Sequence, residues 1–217
     1  MEGRLRDRKK AATRLAISDV ATRLFGEHGF EQVTLAQIAE AADVSVKTIF
    51  NYFSSKEELF FDREQDVLDA LVTAVRDRGP GSTVLGSLRA VLADRMTPFH
   101  DGWPVVGREG LARYRAFVAT ERASPVLRAR RLVIADRWSG ALAPILADEL
   151  GLPVDDDRAR VLASMLIAVM GTRERTMTTA VMDGEPPAEV ERRVRAVVSE
   201  AFDRLERAFG DLDRPRA

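Results

Sequence analysis

Cysteine is absent from the 217 residues, and histidine occurs only twice. The first absence removes disulfide frameworks, thiolate nucleophiles and zinc-thiolate sites, and makes a reducing cytoplasm the natural compartment. The second leaves His28 and His100 with no metal-ligand spacing, nucleophile elbow or phosphate loop around them. No enzyme and no cofactor are therefore expected. Long apolar runs are also missing: the longest, near Leu162 to Met170, is too short to span a bilayer, and the opening MEGRLRDRKK is charged where a signal peptide needs an apolar stretch. Nor is there an excess of either charge. With 33 basic against 34 acidic residues the net charge is -1, so nucleic-acid binding cannot be argued from the total.

What remains is 46% hydrophobic and 31% charged, the composition of a soluble globular chain long enough to bury a substantial core. The charges are unevenly placed. Arg4, Arg6, Arg8, Lys9, Lys10 and Arg14 crowd the first fourteen residues against only Glu2 and Asp7, and every lysine (Lys9, Lys10, Lys47, Lys56) falls within the first 56 residues. A basic N-terminal arm is the reading.

Apolar residues recur at spacings of three and four with no sustained alternation, which predicts an all-α fold. Ile17, Val20, Ala21, Leu24 and Phe25 give a first helix that stops at Gly29. Thr34 with Gln37, and Ser55 with Glu58, read as capping boxes opening a second and a fourth helix, and Ser45 caps a short third one. The fourth is expected to run unbroken from about Lys56 to Arg78, where Gly79-Pro80-Gly81-Ser82 breaks it. Further helices are expected over 83–100, 108–123, 125–150, 156–182 and 187–209, separated by clusters of helix-breakers.

The stretch TLAQIAEAADVSVKTIFNYFSSK, residues 34–56, fits a helix-turn-helix, with Ala39 small enough for close crossing and Asp43-Val44 at the turn. Ile38, Val44, Ile49 and Phe53 form the inner wedge. Ser45, Val46, Lys47, Thr48, Asn51 and Tyr52 then face outward, a set of donors, acceptors and one cation suited to base edges and phosphates in a major groove.

From Ala11 to Phe60 the chain resembles the DNA-binding domain of the TetR family, through AISDVATRLFGEHGFEQVTLAQIAEAADVSVKTIFNYFSSKEEL. The shared pattern is LF-x-x-x-GF, a Thr opening the second helix, IA-x-x-A before the turn, V-S after it, then T-x-F/Y-x-Y-F and S-K-E-x-L. Asp43 departs from it, standing where the family usually has glycine. Asp tolerates the left-handed conformation better than most residues, and a local hydrogen bond accepted by its carboxylate would offset the cost. The resemblance implies a three-helix helix-turn-helix domain over 1–55 and a helical effector-binding and dimerisation domain over 56–217. It implies a homodimer on a pseudo-palindromic double-stranded operator, probed by Thr34 and Lys56 at phosphates, by Ser45, Val46, Lys47, Thr48, Asn51 and Tyr52 in the groove, and by Phe50 at the sugar-phosphate edge. The basic arm would add salt-dependent affinity.

Two long apolar stripes, one on 156–182 and one through Val190, Val194, Val198, Phe202, Leu205 and Phe209, exceed an ordinary single core, and the resemblance pairs these last two helices with their mates. For a small-molecule effector the expected pocket residues are Met96, Phe99, Trp103, Phe117, Trp138, Met165 and Arg173, beside Tyr114, Met177 and Arg175, although bulky residues at helical spacing equally serve as core. FNYF and SPVLRAR are similar to patterns in actinobacterial members that respond to acyl-CoA-like or other greasy molecules. The competing reading is a helix-turn-helix that has become an interaction module without operator specificity.

Overall fold

The computed structural model describes residues 2–95 and 107–215, and among them every regular element is helical. In chain order these are α1 (Glu2–His28), α2 (Leu35–Ala41), α3 (Val46–Phe50), α4 (Lys56–Phe60), α5 (Glu64–Arg76), α6 (Val84–Ala90) with a π-helical turn (Val91–Arg95), α7 (Gly107–Ala123), α8 (Pro125–Glu149), α9 (Asp157–Met182) and α10 (Pro187–Phe209). Local chemistry sets most of these bounds. Gly29, at φ 83°, ends α1 where a side chain would be strained. The hydroxyls of Thr83 and Ser124 accept from Gly86 N at 3.0 Å and Leu127 N at 3.2 Å, and the Asp156 carboxylate accepts from Arg158 N at 2.8 Å, so α6, α8 and α9 each start on a side-chain cap.

Three expectations need correction. The fourth helix is not continuous, because α4 stops at Phe60 and the chain turns through Phe61 (φ -98°, ψ 35°) before α5. No glycine or proline marks that break. Phe60 and Phe61, on either side of it, both enter one aromatic cluster. The basic arm, second, is the first half of α1 and helical from Glu2. Third, the helix expected over 83–100 changes to π-type at Val91, and its end lies outside the described residues.

By compactness the chain forms two units, 1–64 with 112–131, and 65–111 with 132–217. The division falls inside α7 and α8, whereas the sequence put one boundary at 55. In the first unit Ile17, Ala21 and Phe25 of α1 are buried with Phe30, Val33, Ile38, Ile49, Phe53 and Leu59. Phe117 of α7 stacks on Phe60 with centroids 4.3 Å apart and planes 12° apart, and Phe25, Phe30 and Phe61 surround the pair. Such pairs add about 0.5–1.5 kcal/mol each beyond burial. The Thr120 hydroxyl donates to Phe25 O at 3.2 Å, and Ser124 Oγ to Glu31 at 2.6 Å. Gly26 permits this approach, since a Cβ there would lie 3.1 Å from Ala116 Cβ.

In the second unit α10 buries Val190, Val194, Val198, Phe202, Leu205 and Phe209, packing on α9, α6 and the π-helical turn. Each such side chain contributes roughly 1.5–3 kcal/mol over exposure. The stripe expected at a subunit interface is thus spent on the subunit's own core. The buried Asp213 carboxylate accepts from Val84 N at 2.7 Å and Leu85 N at 2.9 Å, fastening the chain's end to the start of α6. Arg78 pairs with Glu149 in the same unit.

Candidate nucleic-acid interface

Helices α2 and α3 and their turn are built by short-range bonds. Thr34 caps α2 by accepting from Gln37 N at 3.2 Å while Gln37 Oε1 accepts from Thr34 N at 2.8 Å, the reciprocal box expected from the sequence. Ala42 N donates to Ile38 O and Val44 N to Ala39 O, both at 2.9 Å, which folds the chain back across Asp43 at φ 52°. Asp43 therefore adopts the left-handed conformation. Its carboxylate has no hydrogen-bond partner among the described residues, so the offset envisaged for it is missing. Ser45 then caps α3, accepting from Thr48 N at 3.0 Å.

Ile38, Ala39, Ile49 and Phe53 are buried and Val44 is half-buried, as the inner wedge requires. The opposite side of α3 is open. Ser45, Val46, Lys47, Phe50 and Asn51 are exposed, and Thr48 and Tyr52 are half-buried. Phe50 is 54% exposed, unusual for an aromatic residue with no packing role. Seven of the nine residues assigned to DNA thus lie on α3 or directly beside it, five of them exposed. Thr34 is also exposed, with its hydroxyl in the capping box.

Lys56 is turned inward. Its ammonium donates to Phe30 O at 2.8 Å and Val33 O at 3.1 Å and lies 4.3 Å from the Phe30 ring centroid. The cation expected at a phosphate thus holds the loop before α2. Beside it Ser55 caps α4 through Glu58 N at 3.2 Å, while the Glu58 carboxylate reaches Ser54 N at 2.7 Å, one residue earlier than a capping box would place it. Burial alone would raise the Glu58 pKa, but the two hydrogen bonds from Ser54 and the charges of Arg14 and Arg130 outweigh it and hold the carboxyl below its ordinary value.

Arg14, counted with the basic arm, is likewise engaged. Its guanidinium donates to Tyr52 O at 2.9 Å, lies 2.6 Å from an Asp62 carboxylate oxygen and sits 4.4 Å over the Phe53 ring. No short-range pattern announces a contact between residues 38 apart in sequence. Arg8, Lys9 and Lys10 remain exposed on α1.

Of the expected pocket residues, Met96, Phe99 and Trp103 lie outside the described residues. Phe117 belongs to the first unit's aromatic cluster. Trp138 is half-buried in α8, with its indole N–H buried and without a hydrogen-bond partner among the described residues. Met165 is 38% exposed on α9, where it lines a shallow depression with Arg160, Val161, Ser164 and Ala168. Arg173, only 5% exposed, donates to Leu92 O at 2.9 Å, and Arg175 donates to Thr172 at the surface. Tyr114 and Met177 are core. Among the described residues no helix is long and apolar enough to cross a membrane.

Residues 17–62 match the family described as bacterial regulatory proteins, tetR family. The chain is 34% identical over 170 residues to the transcriptional regulator TcmR of Streptomyces glaucescens, covering 76% of this chain and 73% of that one. It is 27% identical over 209 residues to the regulator BetI of Agrobacterium fabrum, covering 94% and 92%. The structure of FadR from Bacillus subtilis in complex with stearoyl-CoA shares the fold, with a TM-score of 0.52 over 88% of this chain and 96% of that one at 18% identity. An open α3 face on a capped helix-turn-helix, together with this extent of likeness to TcmR, establishes that the chain is a DNA-binding transcriptional regulator of the TetR family and not an enzyme.

Proposed function

We propose that the protein is a cytoplasmic repressor that binds a pseudo-palindromic operator as a homodimer and leaves it when a small hydrophobic or amphipathic ligand binds the second unit. The observation that carries the DNA reading is the split of α3: Ile49 is buried, while Ser45, Val46, Lys47, Phe50 and Asn51 are exposed together. A short helix with one anchored side and hydrogen-bonding groups on the other suits direct contact with base edges, and Phe50 suits the sugar-phosphate edge. Arg8, Lys9 and Lys10 supply backbone affinity from α1, with Thr34 at a phosphate. In this proposal Lys56 fixes the loop before α2, two of its N–H donors being used there.

The dimer surface is assigned to α9, since α10 has spent its apolar stripe internally. Val161, 51% exposed, and Met165 crown the shallow depression there and offer an apolar patch. Two subunits joined so that their α3 helices sit about 34–36 Å apart would read half-sites one helical turn apart. The effector class rests on the family and on FadR, whose structure contains stearoyl-CoA. The coupling is assigned to the three places where the chain leaves one unit for the other, after Glu64, Leu111 and Arg131.

Selection of bound duplexes from random-sequence DNA with the full-length protein tests this. A two-fold symmetric sequence should emerge and be preferred over random DNA by roughly a thousandfold or more. Equal binding to all sequences would instead make the helix-turn-helix a non-specific module. A panel of fatty acids and acyl-CoA esters should then contain compounds that release the selected duplex. Tight binding that leaves operator affinity unchanged would overturn the coupling.

A further inference from the structure

We propose that Arg14 is a positioning residue for operator recognition, a clamp that sets the direction of α3 without touching DNA. The inference rests on the DNA-binding reading above. Helix α3 has only five residues, too few to be stable or to hold a direction alone. Its start is fixed by the Ser45 cap and its middle by buried Ile49. Beyond its last turn Tyr52 and Phe53 carry the chain away, and a carbonyl leaving a helix end needs a donor from elsewhere.

Arg14 supplies that donor from α1. One side of the guanidinium meets Tyr52 O at 2.9 Å, and the other meets Asp62, with its carboxylate at 2.6 Å and its carbonyl at 3.4 Å. The plane lies over the Phe53 ring at 4.4 Å. One side chain thus joins α1, the exit of α3 and the residues after α4, and places a positive charge at the negative end of the recognition helix. Only arginine fits this role, because a planar fork that donates on two sides while stacking on a ring has no counterpart in lysine's single ammonium. Arg8, Lys9 and Lys10, earlier on α1, are exposed, so the two uses of a cation on one helix are separable.

The test uses full-length protein, the selected duplex and a random duplex of equal length, across a salt series. Without any preference in the wild type, the DNA reading fails and Arg14 is not at issue. Given that preference, Arg14→Lys and Arg14→Gln should both reduce it by about tenfold or more, with the slope of log affinity against log salt unchanged. Lys10→Gln should do the reverse, lowering the slope by about one and sparing the preference. Asp62→Asn leaves Arg14 in place and should cause a smaller loss in the same direction, which keeps the test open where Arg14→Gln fails to fold. Full preference in Arg14→Lys, or a slope lower by about one in Arg14→Gln, would make Arg14 an ordinary phosphate contact and overturn the proposal.

Discussion

The ammonium of Lys56 stands 2.8 Å from the carbonyl oxygen of Phe30 and 4.3 Å from the centre of the same residue's ring. A charged donor with two carbonyls and a ring face is committed to the fold. Lys56→Ala should therefore cost about 1–3 kcal/mol in chemical denaturation, because two carbonyls lose a charge-assisted donor. Operator binding should keep its salt slope at temperatures where the variant is folded. A slope reduced by about one, with stability intact, would return the lysine to the phosphate role that the sequence suggested.

Asp43 occupies φ 52°, where a Cβ is strained and where the family's usual glycine is not. Asp43→Gly relieves that strain and gives back part of the gain as unfolded-chain entropy, so a net stabilisation of about 0.5–1 kcal/mol is expected. Asp43→Val should lose about 1–2 kcal/mol, since a β-branched residue tolerates this region worst. Urea denaturation of the three proteins checks both, and a destabilised glycine variant would point to a role for the carboxylate.

What the sequence revealed and what it hid divide by the range of the interaction. The caps at Thr34, Ser45 and Ser55, the start of α10 at Pro187 and the outward face of α3 depend on neighbours within four residues, and all were legible. The break after Phe60 is not, because no glycine or proline marks it and the rings packed there, Phe117 among them, lie far along the chain. The resemblance puts Lys56 at a phosphate and counts Arg14 in the basic arm, and neither reading shows the long-range contacts that both side chains make. Those contacts reach residues 26 and 38 positions away. The stripe on α10 is plain in the sequence, but periodicity says that a face is buried without saying against what.

If two copies join through α9, charge placed on its exposed apolar residues should separate them. Val161→Glu with Met165→Glu is expected to give a monomer in sedimentation equilibrium with unchanged helicity, since both side chains are already exposed. Losing one half-site per complex should weaken operator binding by about 100-fold or more. A persistent dimer would move the interface elsewhere.

Asp156 offers a readout in acid. Its carboxylate accepts from the Arg158 side chain at 2.8 and 3.0 Å and from Arg158 N at 2.8 Å, and these bonds outweigh desolvation and, with the smaller help of the Arg158 and Arg160 charges, lower its pKa to about 2. A depressed folded value means that the contribution is full above the unfolded value of about 3.9 and disappears as pH falls toward 2. NMR titration should find Asp156 near pH 2, and the stability gap to Asp156→Asn should close between about pH 4 and 2. A midpoint close to 4 would dissolve the pairing with Arg158.

Residues 112–131 are folded into the same unit as α1–α4, with Phe117 lying flat against Phe60 and Ser124 bonded to Glu31. A chimera that transplants this operator preference onto another sensor must therefore carry two separate stretches of chain. A splice made at 55 or 64 would leave a bare ring of phenylalanines on the graft, a sticky surface that promotes aggregation before any operator is met.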